Sequence, residues 1–141
     1  LVVKRISDAF GSQCTIVAVD GKQVNGKWLI HTHGGTRSTD LDLFEWVQKV
    51  QDLGAGEILF TSMDNDGTKA GFALEALAYM DELLSIPVIA SGGAGNMEHF
   101  HEAFNDGMAS AGLAASIFHF GEIEIPDLKN YLIKKGNNIR P

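Results

Sequence analysis

The run Glu57-Ile-Leu-Phe-Thr-Ser-Met-Asp-Asn-Asp-Gly-Thr-Lys-Ala-Gly71 decides how the chain is read. Ile58 to Thr61 is a short apolar run of strand-forming residues, bounded by Gly56. It then breaks into the polar, turn-forming Asp64-Asn-Asp-Gly67 instead of passing directly into a helix. A buried strand that ends in hydroxyls, carboxylates and glycines suggests a strand end opening onto a site. Taken alone, the same residues also fit an acidic turn between a strand and a helix. The neighbouring segments decide between the two.

Cys14-Thr-Ile-Val-Ala-Val-Asp20 is a near-continuous apolar run, which predicts a strand buried on both faces and ending on Asp20. Pro87 opens a further strand, Val88-Ile-Ala-Ser91, that runs into Gly92-Gly-Ala-Gly95. A last strand falls within Met108 to Ala115 and ends at Ser116. Helical spacing of apolar residues covers 1–10, 40–53, 72–84, 97–105 and 126–135, with Gly11, Gly54, Gly107 and Gly136 as stops. Asn25-Gly26 is a strong hairpin-turn signal, and Trp28 to Thr32 supplies a return strand. This predicts a small hairpin inserted after the first strand, over the end where Asp20 sits. Strands alternating with helices predict a parallel sheet with right-handed crossovers. Asp20, Thr61 with Asp64 and Asp66, Ser91 with Gly92 and Gly93, and Ser116 then share the carboxyl end of that sheet, where α/β folds place their sites. Four strand ends agreeing exceed what one acidic turn explains.

The 141 residues suffice for one domain with a real core, and 45% hydrophobic against 21% charged content fits a globular protein. No apolar run approaches the ~18 residues of a membrane span, and no secretory pattern opens the chain. The single Cys14 excludes an internal disulfide, reads as a small buried hydrophobe, and fits a reducing cytoplasm. A net charge of −7 without any Lys/Arg cluster argues against a nucleic-acid or anionic-membrane surface. It leaves room for a phosphorylated small molecule held by backbone N–H groups. The chain opens at Leu1, without a methionine and within an amphipathic pattern, and so reads as a piece of a longer one.

At the strand ends, two adjacent glycines before a helix let a ligand approach the backbone closely, and bare amides there suit a phosphate. The small residues Ala114-Ala-Ser116 after the next strand extend that reading, while tight packing would equally use glycine. Asp20 is the foremost catalytic candidate, because a carboxylate terminating an apolar strand is poorly solvated and suited to proton transfer. Its competing role is to cap a turn. No metal is expected. Ser62, Asp64, Asp66 and Gly67 imitate a calcium loop whose twelfth position would be Ala73, where an acid is required. His31 and His33 lack a third ligand, and no G-x-G-x-x-G opens a helix, so no cofactor is implied.

Gly11-Ser-Gln-Cys-Thr-Ile-Val-Ala-Val-Asp20, Gly54 to Lys69, Ile89-Ala-Ser-Gly-Gly-Ala-Gly95 and Leu113-Ala-Ala-Ser-Ile-Phe-His-Phe120 together resemble the cyclase subunits of imidazole glycerol phosphate synthase, of histidine biosynthesis. The resemblance spans nearly all of the chain and implies the second half of a (β/α)8 TIM barrel, strands five to eight, as one domain over residues 1–141. It implies a lyase/cyclase reaction in which ammonia from a glutaminase partner attacks a ribulosyl formimino-carboxamide bisphosphate nucleotide. The products are imidazole glycerol phosphate and aminoimidazole carboxamide ribotide. Asp20 matches one of the family's two facing catalytic aspartates, and the other belongs to strand one. Thr61, Asp66, Gly67, Ser91, Gly92, Gly93, Ala115 and Ser116 match positions lining the substrate or one of its phosphates. Glu57 matches a member of the charged ring through which ammonia enters, at the barrel face where the glutaminase docks.

Three departures stand out. Gly21 occupies a position where alanine is commoner, Ala73 replaces a usual acidic residue, and Met108 to Gly112 is one residue longer than the pattern. The nearest enzymatic rival is the sibling sugar-phosphate isomerase of the pathway, against which Lys69 and the Ala-Ala-Ser-Ile-Phe-His-Phe ending count. A different class of reading is a phosphate-binding half-barrel without catalysis, which would self-associate to cover its bare edges unless the missing half-barrel joins it.

Overall fold

A computed structural model describes residues 1–140. Helix α1 (Val2–Phe10) and a 3-10 turn (Ser12–Cys14) lead into strand β1 (Ile16–Val24). The Asn25-Gly26 turn, with both residues at positive φ, reverses the chain into β2 (Lys27–Thr32), and β3 (Arg37–Asp42) follows. Then come α2 (Leu43–Asp52), β4 (Glu57–Ser62), α3 (Leu74–Leu83), β5 (Val88–Ser91), α4 (Met97–Asn105), β6 (Ala111–Leu113), α5 (Ser116–His119) and α6 (Ile125–Lys134).

The six strands form one sheet in the order β3-β2-β1-β4-β5-β6. β1, β4, β5 and β6 are parallel neighbours, whereas β2 and β3 add on antiparallel at one edge. The expected α/β architecture with a mostly parallel sheet is therefore present. The hairpin is not a separate insertion, however. Its first arm is the continuation of β1, so core strand and hairpin share one backbone.

Residues 40–42, expected in a helix, instead belong to β3. The helix begins at Leu43, where the Asp42 carboxylate accepts hydrogen bonds from the amides of Phe44 (2.9 Å) and Glu45 (3.1 Å). That is a full N-cap, and it fixes where extended backbone gives way to helix.

Alternate strand residues face opposite sides of a sheet. Val19, Ile58, Phe60, Val88 and Ala90 point to one side and pack with Val47 and Val50 of α2, Leu77 and Met80 of α3 and Phe100 and Ala103 of α4. All of these side chains are buried, and each large one contributes about 1.5–3 kcal/mol of transfer free energy. The other side is open. Ile16 is 55% and Leu113 43% exposed, and Leu59 and Ile89 between them are only partly covered. The expectation that β1 is buried on both faces is thus corrected: the packed helices cover one face only. Cys14 is likewise exposed, because it lies in the 3-10 turn before the strand. Among the described residues, no helix is long and apolar enough to cross a membrane.

Candidate functional site

The parallel register sets the site. Asp20 pairs with Thr61, Thr61 with Ser91, and Ser91 with Leu113, across four adjacent strands. Asp20, Thr61 and Ser91 therefore stand side by side on the open face, each half-buried. Thr61 and Ser91 lie at the carboxyl ends of their strands, whereas β1 does not end on Asp20 as expected but runs on to Val24 as the first arm of the hairpin. Asp20 is also paired on its other side, with His31 of β2. Glu57, at the first residue of β4 and paired with Ile16, stands at the opposite end of the sheet.

Beyond Ser62 the chain closes a loop on itself. The buried Ser62 hydroxyl donates to Asn65 Oδ1 (2.6 Å), and Asn65 Nδ2 donates to the Gly71 carbonyl (2.9 Å). The Asp66 amide donates back to the Ser62 carbonyl (2.9 Å) and the Gly71 amide to the Gly93 carbonyl (2.8 Å). The Asp64 carboxylate accepts from the Gln23 amide (2.8 Å), tying the loop to the hairpin. This loop, 63–71, is a rigid ledge facing Gly92 and Gly93.

Between ledge and strand ends lies a cavity of about 230 Å³. Asp66, Gly67, Ser91, Gly92, Gly93, Ala115 and Ser116 all line it, together with Lys69, Ala94, Leu113 and Ala114. Seven of the eight residues expected at the substrate thus converge on one space. Thr61 does not line it, and lies between it and Asp20 on the sheet face. Among the described residues, the amides of Gly92, Gly93 and Ser116 donate to no protein acceptor, which leaves donors for an anion.

The two glycines serve packing as well. A Cβ on Gly93 would sit 2.0 Å from the Gly71 carbonyl oxygen, and one on Gly92 2.7 Å from that of Ser62. Both also hold positive φ, 87° and 109°. Close backbone approach and open amides are one arrangement here.

A larger space, about 660 Å³, opens between the hairpin and α3 and is lined by Gln23, Trp28, Asn65, Phe72 and Glu75 among others. Of the strand-end residues it gathers Asp64 alone. Among the described residues, no three His, Cys, Asp or Glu side chains converge as metal ligands.

Sequence reasoning missed two elements of the site. Asn65 is its internal staple, joining Ser62 to Gly71, and a lone Asn in a turn signals nothing so specific. Lys69 reaches both carboxylate oxygens of Glu122 at 2.7 Å, a pairing across 53 residues that no local pattern announces. Ala115 and Ser116 lie on the cavity wall, and Met108 stands at φ 56° shortly before β6.

The sequence model of the family described as "Histidine biosynthesis protein" matches residues 1–124. The chain is 57% identical over 139 residues to "Imidazole glycerol phosphate synthase subunit HisF" of Flavobacterium johnsoniae, covering 99% of this chain and 55% of that one. Identity to the protein of the same name from Cytophaga hutchinsonii is also 57%, and to that of Saccharolobus solfataricus 52%, with the same coverage. The chain therefore spans about half the length of the curated relatives it matches.

Proposed function

The chain belongs to the histidine biosynthesis protein family, and on that premise we propose that it forms strands five to eight of the barrel of an imidazole glycerol phosphate synthase cyclase. In the whole protein, ammonia delivered by a glutaminase converts a ribulosyl formimino-carboxamide bisphosphate nucleotide to imidazole glycerol phosphate and aminoimidazole carboxamide ribotide. The names of the relatives favour this cyclase over the sibling isomerase.

The observation that carries the proposal is the register row Asp20–Thr61–Ser91 on an open sheet face beside the glycine-lined cavity. In a barrel, the open face becomes the interior, and active sites occupy the carboxyl ends of the strands. Asp20 is then one of two carboxylates exchanging protons with substrate and leaving group, its opposite number coming from the first strand. Thr61 offers a hydroxyl next to it. The cavity amides, with Gly67, Ser91, Ala115 and Ser116 around them, hold one phosphate at a fixed distance from Asp20. This converts binding energy at the phosphate into orientation at the reacting centre. Glu57, at the other end of β4, stands on the side from which ammonia arrives, where the glutaminase docks. The cytoplasm is the compartment of such an enzyme.

The test is Asp20→Asn in the complete synthase subunit. Turnover with free ammonia falls at least about 10²-fold, the scale of lost general acid–base catalysis, while substrate affinity is retained. Unchanged turnover removes Asp20 from the mechanism.

A further inference from the structure

Among the described residues that line the 230 Å³ cavity, only Asp66 and Lys69 carry charge, so Lys69 is the one cationic side chain there. Its ammonium is held by Glu122, from the segment between α5 and α6, with both carboxylate oxygens at 2.7 Å. Both backbones are fixed. Lys69 sits at φ 58°, with its carbonyl oxygen 2.3 Å from where a Cβ on Gly95 would lie. The Glu122 amide donates to the Ile117 carbonyl at 2.9 Å. The movable part is the lysine stem, whose ammonium carries three donors on a flexible four-carbon chain. The pair is also accessible, with the side chains 46% and 40% exposed. An ion pair so open to solvent favours its paired state only about two- to fivefold, and is readily exchanged.

We propose that Glu122 is a built-in competitor for Lys69: an incoming phosphate draws the ammonium from the carboxylate, and Glu122 thereby weakens the cavity's hold on that phosphate. The inference rests on the reading of this cavity as a phosphate site, and adds to it an anion that sets the affinity from outside. A pair that merely fastened the ledge would act differently. Loss of either partner would then loosen the ledge, and both substitutions would weaken binding.

Titration of the chain with inorganic phosphate at constant ionic strength, followed by amide NMR shifts, separates the cases. Glu122→Gln tightens phosphate binding about two- to fivefold, and Lys69→Met weakens it by at least as much. Glu122→Lys, a second variant at the same exposed position, tightens it further. In the Lys69→Met background, Glu122→Gln has no effect. Parallel weakening by both single substitutions overturns the inference, as does an unchanged affinity in Glu122→Gln. A Glu122→Gln gain that survives in the Lys69→Met background also overturns it, since a through-space field would act without the lysine. Saturable shifts at Gly92 and Gly93 that ignore Glu122 refute this inference alone. No saturable shift there in the wild-type chain refutes the phosphate reading with it.

Discussion

Gly93→Ala is the substitution on which packing and site make one joint prediction. The new methyl would lie 2.0 Å from the Gly71 carbonyl oxygen, a backbone atom that cannot rotate away. The Gly71 amide donates to the Gly93 carbonyl at 2.8 Å, so moving either strand of this contact also strains that bond. A non-glycine residue at φ 109° costs about 1–3 kcal/mol, and overpacking about 1–3 kcal/mol. Weakening the hydrogen bond adds about 0.5–1.5 kcal/mol. A destabilisation of about 2.5–7.5 kcal/mol follows, a large share of the roughly 5–15 kcal/mol that holds a domain together. Gly67→Ala is the internal control, since Gly67 has φ 75° but nothing within 4 Å of its added methyl. Only the left-handed penalty applies there, about 1–2 kcal/mol. Urea unfolding followed by far-UV circular dichroism should place Gly93→Ala at least about 1.5 kcal/mol below Gly67→Ala, the sum of the smallest overpacking and hydrogen-bond costs. Equal stabilities would mean that ledge and glycine loop are not in contact, and the cavity between them would lose its wall.

Three further outcomes are expected. Helix α3 has Ala73 at its N-cap and no side-chain cap, so Ala73→Asp should stabilise the fold by about 0.5–2 kcal/mol in the same assay, and no gain would refute the capping argument. Glu98 accepts from the Tyr131 hydroxyl and pairs with Lys135 at 3.2 Å, and these partners hold its carboxyl below the usual glutamate range. A depressed pKa lends stability that is present above the unfolded value and lost as pH falls through the folded one. Tyr131→Phe should raise the Glu98 pKa seen by NMR and shrink the acid-side loss of stability; an unmoved pKa would show that Tyr131 is not its main partner. The uncovered face with Ile16 and Leu113 should make the chain self-associate when alone, and sedimentation of a compact monomer at tens of micromolar would contradict that.

Much of this architecture could be read from residue patterns, and the failures share a cause. β4 and α4 match their expected spans, because Ile58 to Thr61 is bounded by Gly56 and Asn96 is a true N-cap, accepting from the His99 amide at 3.1 Å. β3 was illegible. Arg37 to Asp42 has no buried residue and no apolar alternation, and it is extended because it pairs with β2 at the sheet edge. Asp40 resembles an N-cap two residues too early, since Leu41 and Leu43 blur the boundary that Asp42 sets. α5, with four residues, is too short for any periodicity. Within the site, the strand-end residues were legible because each is written locally, at a change from apolar to polar sequence. The Asn65 staple and the Lys69–Glu122 pair depend on distant partners. Burial of β1 failed for a related reason: an apolar strand records what a face is suited to meet, not whether anything in the same chain meets it.

The uninterrupted passage of β1 into the hairpin has a consequence for timescale. Asp20 sits in the middle of a nine-residue strand, with a backbone ladder to Thr61 on one side and to His31 on the other. Amides in such a position exchange with solvent only through large openings, whereas loops without ladders exchange through small ones. Deuterium should therefore enter the hairpin turn at Asn25 quickly and the Asp20 region slowly. The carboxylate proposed to move protons is thus mounted on slowly exchanging backbone, whereas the lysine proposed to choose between two anions moves through its own flexible stem.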